Sequence, residues 1–205
     1  MTIAYVVNAD ILRRVLALAN AMANTIVMPK MLHCVNLTID PTVAEDQNPI
    51  ILIAGDGFMV VEENYPVVAS TGSLAEPTSV CIGREGFARI VELLKAVGRE
   101  KIETATLAFP EPLVMTVSLG KANAQVPLMD VRYPNCRRAF DVGSDYTVGK
   151  IGMNLHHLAR LDKIWPHTKY GATVFTWGVR GQLFASPMTR SRTHRALVMP
   201  TTITA

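Results

Sequence analysis

The sequence predicts an α+β protein made of repeated units, and three observations support this. Apolar residues recur with helical periodicity in three segments, near residues 8–24, 84–99 and 153–165. Each helical segment follows a short extended stretch and precedes several more extended stretches. The whole pattern returns after roughly 65 to 75 residues. One strand, one helix and several strands, repeated in this way, is typical of an internally repeated α+β architecture.

The first unit opens with a strand that ends at a capping residue, Asn8 or Asp10. The apolar side of its helix carries Ile11, Val15, Leu18 and Met22. The stretches MLHCVNLTI, IILIA and FMVV then predict strands, the last two on either side of the turn Gly55-Asp56-Gly57.

The second and third units repeat this order. In the second, TSVCIG predicts a strand, REGFARIVELLKAVGR a helix, and IETATLAF, LVMTVSL and AQVPLM three strands. In the third, TVGKIG predicts the strand, MNLHHLARLDKIW the helix, and ATVFTWGV, QLFAS and HRALVMP the strands that follow. The third helix is expected to bury Leu155, Leu158, Leu161 and Trp165.

Composition limits the class of protein. The 205 residues are 49% hydrophobic and 18% charged, which is typical of a globular chain and not of a disordered one. The three cysteines form no CxxC pattern, so we expect reduced thiols and an intracellular protein. The first residues do not resemble a signal peptide, and no apolar run approaches the ~20 residues that span a bilayer. The prediction is a cytoplasmic protein with no membrane partner.

The side of each predicted helix that faces away from the core is basic. The residues on it are Arg13 and Arg14 in the first helix, Arg84, Lys95 and Arg99 in the second, and His156, Arg160 and Lys163 in the third. For one helix alone, a solvated face is the simpler interpretation. Three basic faces in succession fit a surface that meets phosphates equally well, so both interpretations stay open at this point.

The end of the chain is similar to the closing section of the bacterial β sliding clamps, the processivity subunits of DNA polymerase III. The similarity lies in Met153-Asn154 at the start of a helix, in the helix through Trp165, and in the terminal apolar strand with Val198-Met199-Pro200. Earlier stretches agree in order, because VMPKMLHCVNLTI, AGDGFMVV and DVRYPNCRRAF each resemble a clamp segment. The chain therefore resembles a short member of that family.

This resemblance implies about one and a half clamp domains in the chain. Residues 1–137 are expected to form a complete domain of two units, and residues 138–205 the second half of another. A clamp ring contains twelve helices, so three units in each chain imply four chains. The expected assembly is a homo-oligomer in the form of a tetrameric ring, with a monomer or an open dimer as the alternative.

The resemblance also implies a DNA-binding surface. Clamps enclose duplex DNA and touch only its phosphates, which carry no sequence information. The candidate lining residues in this chain are Arg13, Arg14, Arg84, Lys95, Arg99, His156, Arg160 and Lys163.

A binding site for partner peptides is the third implication. In the family, the apolar terminal strand lines a pocket for short motifs of DNA polymerase and other replication proteins. The resemblance also implies a clamp loader as a partner. The matching positions here are Gln182, Leu197, Val198, Met199 and Pro200. A strand that only completes its sheet is the alternative. By alternation Leu197 and Met199 share one face and Val198 takes the other, so both interpretations can hold together.

Catalysis finds no support in the sequence. His156 and His157 point about 100° apart on a helix and lack the HExxH spacing of a zinc site. Ser144 and Ser186 have no nucleophile-elbow context, and Cys81 and Cys136 are expected to be buried apolar cysteines. We therefore expect no catalytic residue, no metal and no cofactor. The predicted function is a DNA sliding clamp, and the alternative is a clamp-like adaptor or decoy that binds replication proteins without encircling DNA.

Overall fold

The computed structural model describes residues 3–22, 33–40, 42–43, 49–71, 77–140, 154–166, 173–177, 183–187 and 194–199. A short 3₁₀ helix covers Cys136–Phe140. The α-helices are α1 (Asp10–Met22), α2 (Arg84–Val97) and α3 (Leu155–Ile164). All three fall in the segments that periodicity predicts. Among the described residues, no helix has the length and apolar character needed to cross a membrane.

Side chains and glycine fix the limits of these helices. The Asn8 side-chain oxygen accepts the N–H of Asp10 at 2.9 Å, and that of Asn154 accepts the N–H of His156 at 2.9 Å. Each contact satisfies a backbone donor that has no partner inside the helix. Helix α2 ends at Gly98, whose φ of 64° is readily reached by glycine and whose N–H donates to the Leu94 carbonyl at 3.2 Å.

The strands follow the predicted stretches closely. They are β1 (Ile3–Asn8), β2 (Val35–Ile39), β3 (Ile50–Gly55), β4 (Met59–Tyr65), β5 (Val67–Thr71), β6 (Thr78–Ile82), β7 (Thr104–Glu111), β8 (Val114–Leu119), β9 (Ala122–Met129), β10 (Thr173–Trp177), β11 (Leu183–Pro187) and β12 (His194–Val198). Strand β5 is not predicted by the sequence analysis. The predicted strand TVGKIG lies outside the described residues.

All pairings in the sheet are antiparallel, in the order β10-β11-β12-β4-β3-β2-β6-β9-β8-β7-β1-β5. The first two units are interlocked, because β1 of the first pairs with β7 of the second, and β6 of the second pairs with β2 of the first. The third unit contributes β10 to β12, and β12 pairs with β4 of the first unit. The sheet is therefore shared by all three units, and the domain limits 1–137 and 138–205 stay a prediction.

The sheet curls because β4 and β5 are consecutive in the chain but pair with strands that are far apart in the strand order. Only Pro66 separates β4 from β5, yet β4 pairs with β3 while β5 pairs with β1 at the far end of the strand order. Proline has no N–H to give to a sheet ladder, so it fits a corner at which the chain changes neighbours.

Helix α1 contacts both α2 and α3, and α1 and α2 also contact strands of the sheet. One apolar cluster runs through all three units and includes Leu18 of α1, Ile90 of α2 and Ile164 of α3, which are fully buried. Burial of each such side chain stabilises the fold by about 1.5–3 kcal/mol.

The buried side of α3 differs from the prediction. Leu155 is 75% exposed, whereas Leu161 and Trp165 are buried as expected. His157 and Arg160, which the sequence does not place in the core, are buried. In the interior, Arg160 pairs with Asp56 of the first unit, and His157 stacks on Phe58 of the same unit, as described below.

Candidate nucleic-acid interface and partner groove

The exposed side of the helices carries most of the predicted lining residues. Six of the eight have exposed side chains, namely Arg13, Arg84, Lys95, Arg99, His156 and Lys163. Acidic residues lie among them, since Asp10 is 3.9 Å from Arg13 and both Glu85 and Asp162 are at exposed positions. The exposed side is therefore of mixed charge, and less basic than the sequence analysis predicts.

Arg14 does not lie on this exposed side, and the prediction that it does is wrong. Its guanidinium is buried and forms an ion pair with Glu63 of β4, with Nε donating to Oε2 at 3.0 Å. Its Nη1 donates to the carbonyl oxygen of Ile164, the last residue of α3, at 2.7 Å. Glu63 also accepts the Trp165 indole N–H at 2.8 Å and the Tyr65 hydroxyl at 2.5 Å. This carboxylate thus joins α1 to the end of α3.

Arg160 is the second wrong prediction, for the same physical reason. Its guanidinium is buried against Asp56 and forms an ion pair with it. Its Nε donates to the carbonyl oxygen of Ala21 in the last turn of α1 at 2.5 Å. Asp56 also accepts the backbone N–H groups of Phe58 at 2.9 Å and Met59 at 2.8 Å. A buried charge needs this degree of pairing, so the two arginines join units and are not available to phosphates.

A third buried acid, Glu62 of β4, also joins the first unit to the third. Glu62 accepts hydrogen bonds from Arg195 of β12 at 3.2 Å and from Arg137 at 3.0 Å. The Arg195 guanidinium carbon also lies 4.2 Å from the centre of the Phe140 ring. Asp56, Glu62 and Glu63 are not among the site residues that the sequence predicts, although three acids close to the apolar stretch FMVV are a usable signal of buried pairing.

The terminal strand mainly completes the sheet. Leu197 pairs with Val60 of β4 and with Phe184 of β11, and Val198 pairs with Met59 and Leu183. Both side chains are buried. Met199 is 40% exposed, and its N–H donates to the Phe58 carbonyl at 2.8 Å. Gln182 and Pro200 lie outside the described residues.

Met199 adjoins a second exposed apolar residue that the sequence analysis assigned only to a strand. Phe58 follows the turn between β3 and β4, and its side chain is 55% exposed. Its ring stacks on His157 of α3, with 5.8 Å between centroids and 19° between planes. We call Phe58, His157 and Met199 the junction patch. Its two exposed apolar side chains, Phe58 and Met199, come from two units that are joined here by the backbone hydrogen bond from Met199 to Phe58.

Burial lowers the pKa of His157, while the nearby Asp56 carboxylate opposes that change. Its Nδ1 lies 3.3 Å from Nη1 of Arg160, a cation that also disfavours a charged imidazole. The imidazole is therefore held neutral near pH 7, which suits stacking against the Phe58 ring.

The cysteines form a pair that the sequence spacing does not reveal. Cys34 and Cys81 are both buried, and the hydrogen bond from the Cys34 thiol lowers the pKa of Cys81 to about 7. Asn36 Nδ2 lies 3.9 Å from the Cys81 sulfur. Within the described part of the chain, no group of three or more His, Cys, Asp and Glu side chains is arranged to hold a metal ion.

Comparison with known proteins gives matches of structure only. No protein-family model matches the sequence, and no curated protein matches it. The DNA polymerase sliding clamp of Pseudomonas aeruginosa superposes with a TM-score of 0.74 at 13% identity, over 98% of this chain and 66% of that one. The Helicobacter pylori β clamp bound to a DNA ligase peptide gives 0.70 at 11% identity, over 98% and 66%. The DNA polymerase III β subunit of Thermotoga maritima gives 0.64 at 10% identity, over 97% and 64%.

These superpositions cover nearly all of this chain, which spans about two thirds of the length of the clamp subunits. They agree with the α+β architecture, the curled antiparallel sheet and the adjoining helices described above. The chain has the fold of the bacterial β sliding clamps.

Proposed function

We propose that this protein is a DNA sliding clamp, a processivity factor that encircles duplex DNA and tethers replication proteins. The observation that carries the proposal is the match to clamp subunits over 98% of the chain, with the helices adjoining one another as a lining requires. The proposed contacts with DNA are made by Arg13, Arg84, Lys95, Arg99, His156 and Lys163. Such contacts reach phosphates only, so binding is independent of sequence and weakens as salt rises.

The proposed assembly is a ring of four chains, which supplies the twelve helices of a clamp. Its loading requires a clamp loader, and its place of action is the cytoplasm. No chemical turnover is part of this function, so the protein is proposed to be a scaffold with neither catalytic residues nor a cofactor.

Topological retention on DNA tests this proposal. The protein is incubated with a nicked circular plasmid, a bacterial clamp loader and ATP, washed in high salt and separated by gel filtration, before and after one restriction cut. A ring is expected to stay on the circle and to leave the linear DNA by sliding off its ends. The variant Arg84→Glu/Lys95→Glu is expected to weaken the initial binding, because it reverses two exposed charges on α2.

Equal loss from circular and linear DNA contradicts the sliding clamp and supports the second candidate. That candidate is an adaptor or decoy that binds replication proteins without encircling DNA. It is favoured by the mixed charge of the exposed helices, where Asp10, Glu85 and Asp162 accompany the basic residues. Images of the assembled particle give an independent check, since a ring has a central hole.

We further propose that the junction patch takes a short linear peptide of a replication protein, such as a DNA polymerase. The Helicobacter pylori clamp binds a DNA ligase peptide, and this chain superposes on that complex over 98% of its length. The two exposed apolar side chains, Phe58 and Met199, offer a surface for a hydrophobic anchor.

A further inference from the structure

The three helices share one pattern of buried residues. Each buries side chains at positions i, i+4 and i+7, which are Ile11, Val15 and Leu18 in α1, Gly86, Ile90 and Leu93 in α2, and His157, Leu161 and Ile164 in α3. In each helix the residue directly before the middle one is an arginine, namely Arg14, Arg89 or Arg160. The three arginines therefore occupy equivalent positions in the three units.

Two of these arginines make reciprocal contacts. Arg14 of α1 donates to the Ile164 carbonyl at the end of α3, and Arg160 of α3 donates to the Ala21 carbonyl near the end of α1. Beside this pair of helices, β4 and β12 pair antiparallel. Each of these strands is the third strand after the helix of its unit. The first and third units thus meet through an approximately two-fold contact of helix with helix and third strand with third strand.

The same surface of the second unit is open among the described residues. Its arginine, Arg89, is 58% exposed and, within the part of the chain that the structure describes, forms an ion pair only with Glu92 of the same helix, at 2.9 Å. Its third strand is β9, in which residues 122–127 pair with β8 alone, while Leu128 and Met129 pair with β6. A groove of about 600 Å³ lies between this strand edge and α2. We call it the edge groove, and Arg89, Glu92, Leu93 and Ala96 line its helical side.

We propose that the edge groove is an interface with a second copy of this chain, in which α2 and β9 of one copy meet α2 and β9 of the other across a two-fold axis. The contact between the first and third units is the internal template, because it joins the equivalent helices and strands. An exposed strand edge presents backbone groups that are ready to pair with another strand. A two-fold axis lets one patch complement itself.

The charges of α2 fit such a contact. Arg89 and Glu92 are both exposed, at 58% and 62%, and carry opposite signs on the same helical face. A two-fold axis that passes between these two positions places Arg89 of each copy opposite Glu92 of the other. Arg89 then takes the role that Arg14 and Arg160 have inside the chain. This inference goes beyond the clamp proposal, because pairing is measured without DNA and stands or falls independently of ring closure.

Charge reversal tests the interface. The mass of the assembly is measured by light scattering for the wild type, for Arg89→Glu and for Glu92→Arg. The wild-type mass is expected to be an even multiple of the chain mass. Each single reversal is expected to halve it, because each places like charges opposite one another. The matched control Glu85→Arg reverses an exposed charge on α2 outside the edge groove and is expected to keep the wild-type mass.

Mixing the two variants gives the decisive result. In a mixed pair, the Arg89→Glu chain presents two acids at the contact and the Glu92→Arg chain presents two arginines. Opposite charges then face each other again, so the wild-type mass is expected to return. Circular dichroism of each variant confirms that it is folded. A monomeric wild type, reversals that leave the mass unchanged, or a mixture that stays at the lower mass overturns the proposal.

Discussion

Arg14 and Arg160 are buried because each forms an ion pair with a buried acid. Asp56 and Glu63 belong to the first unit and receive Arg160 and Arg14, respectively. The periodicity within each helix predicts that both arginines are surface residues. It carries no information about an acid on another element that packs against the helix. The pairing is tertiary, and this part of the candidate site could not be derived from the helical segments alone.

Loss of one buried arginine is expected to be costly. The change Arg160→Ala leaves the buried Asp56 carboxylate without its cation and the Ala21 carbonyl without its donor. We expect the free energy of unfolding to fall by about 3–5 kcal/mol, measured by urea denaturation. The control Lys163→Ala removes an exposed cation from the same helix and is expected to change it by about 0.5 kcal/mol or less. Similar losses for the two variants would contradict a buried ion pair.

Stability is expected to depend on pH through His157. Burial lowers the pKa of this group below its ordinary 6.5 in the folded chain, so the unfolded chain binds the proton first as pH falls. The contribution of neutral His157 to the stability of the fold is therefore fully present above pH 6.5 and decreases as the pH falls below that value. Thermal unfolding at pH 7.5 and 5.5 (chosen to bracket this pKa) should show a smaller decrease for His157→Gln than for the wild type. The control His156→Gln changes an exposed neighbour, and an equal decrease in all three proteins would contradict this account.

The end of β12 and the turn between β3 and β4 act together as one element of the surface. Leu197 and Val198 are held in the sheet, and the next residue, Met199, is fixed by its backbone hydrogen bond to Phe58. The two sequence interpretations of this strand are thus compatible. Its buried residues complete the sheet, and the exposed one, Met199, belongs to the proposed peptide site.

A peptide-binding measurement tests the junction patch. The change Met199→Asp places a charge at the exposed position whose N–H donates to the Phe58 carbonyl. We expect it to weaken binding of a labelled DNA ligase peptide by roughly tenfold or more in fluorescence anisotropy. The control Val68→Asp introduces the same charge at an exposed valine on β5 and should leave binding unchanged. Equal affinity of the Met199 variant and the wild type would remove the patch from the proposed function.

For the whole molecule, periodicity predicts the three helices, the order of the units and most strands. It misses β5, because five residues after a proline, with four of them exposed, have no apolar alternation to reveal them. It also misses Phe58, since a strand pattern does not tell which end residue protrudes beyond the sheet. The exposed basic residues are predicted well on α2, where Arg84 and Lys95 meet no acid from another unit in the described residues.

The corner at Pro66 couples the register of β4 on β3 to the register of β5 on β1. Since β4 and β5 are one run of chain with a single residue between them, sliding β4 by one position along β3 would drag β5 by one position along β1. Such a slip turns every side chain of both segments over at once, so Met59 and Val61 would lose their buried places together with Val67. A misaligned β4 therefore also misaligns β5, and the combined loss of apolar burial favours a single register as the chain folds.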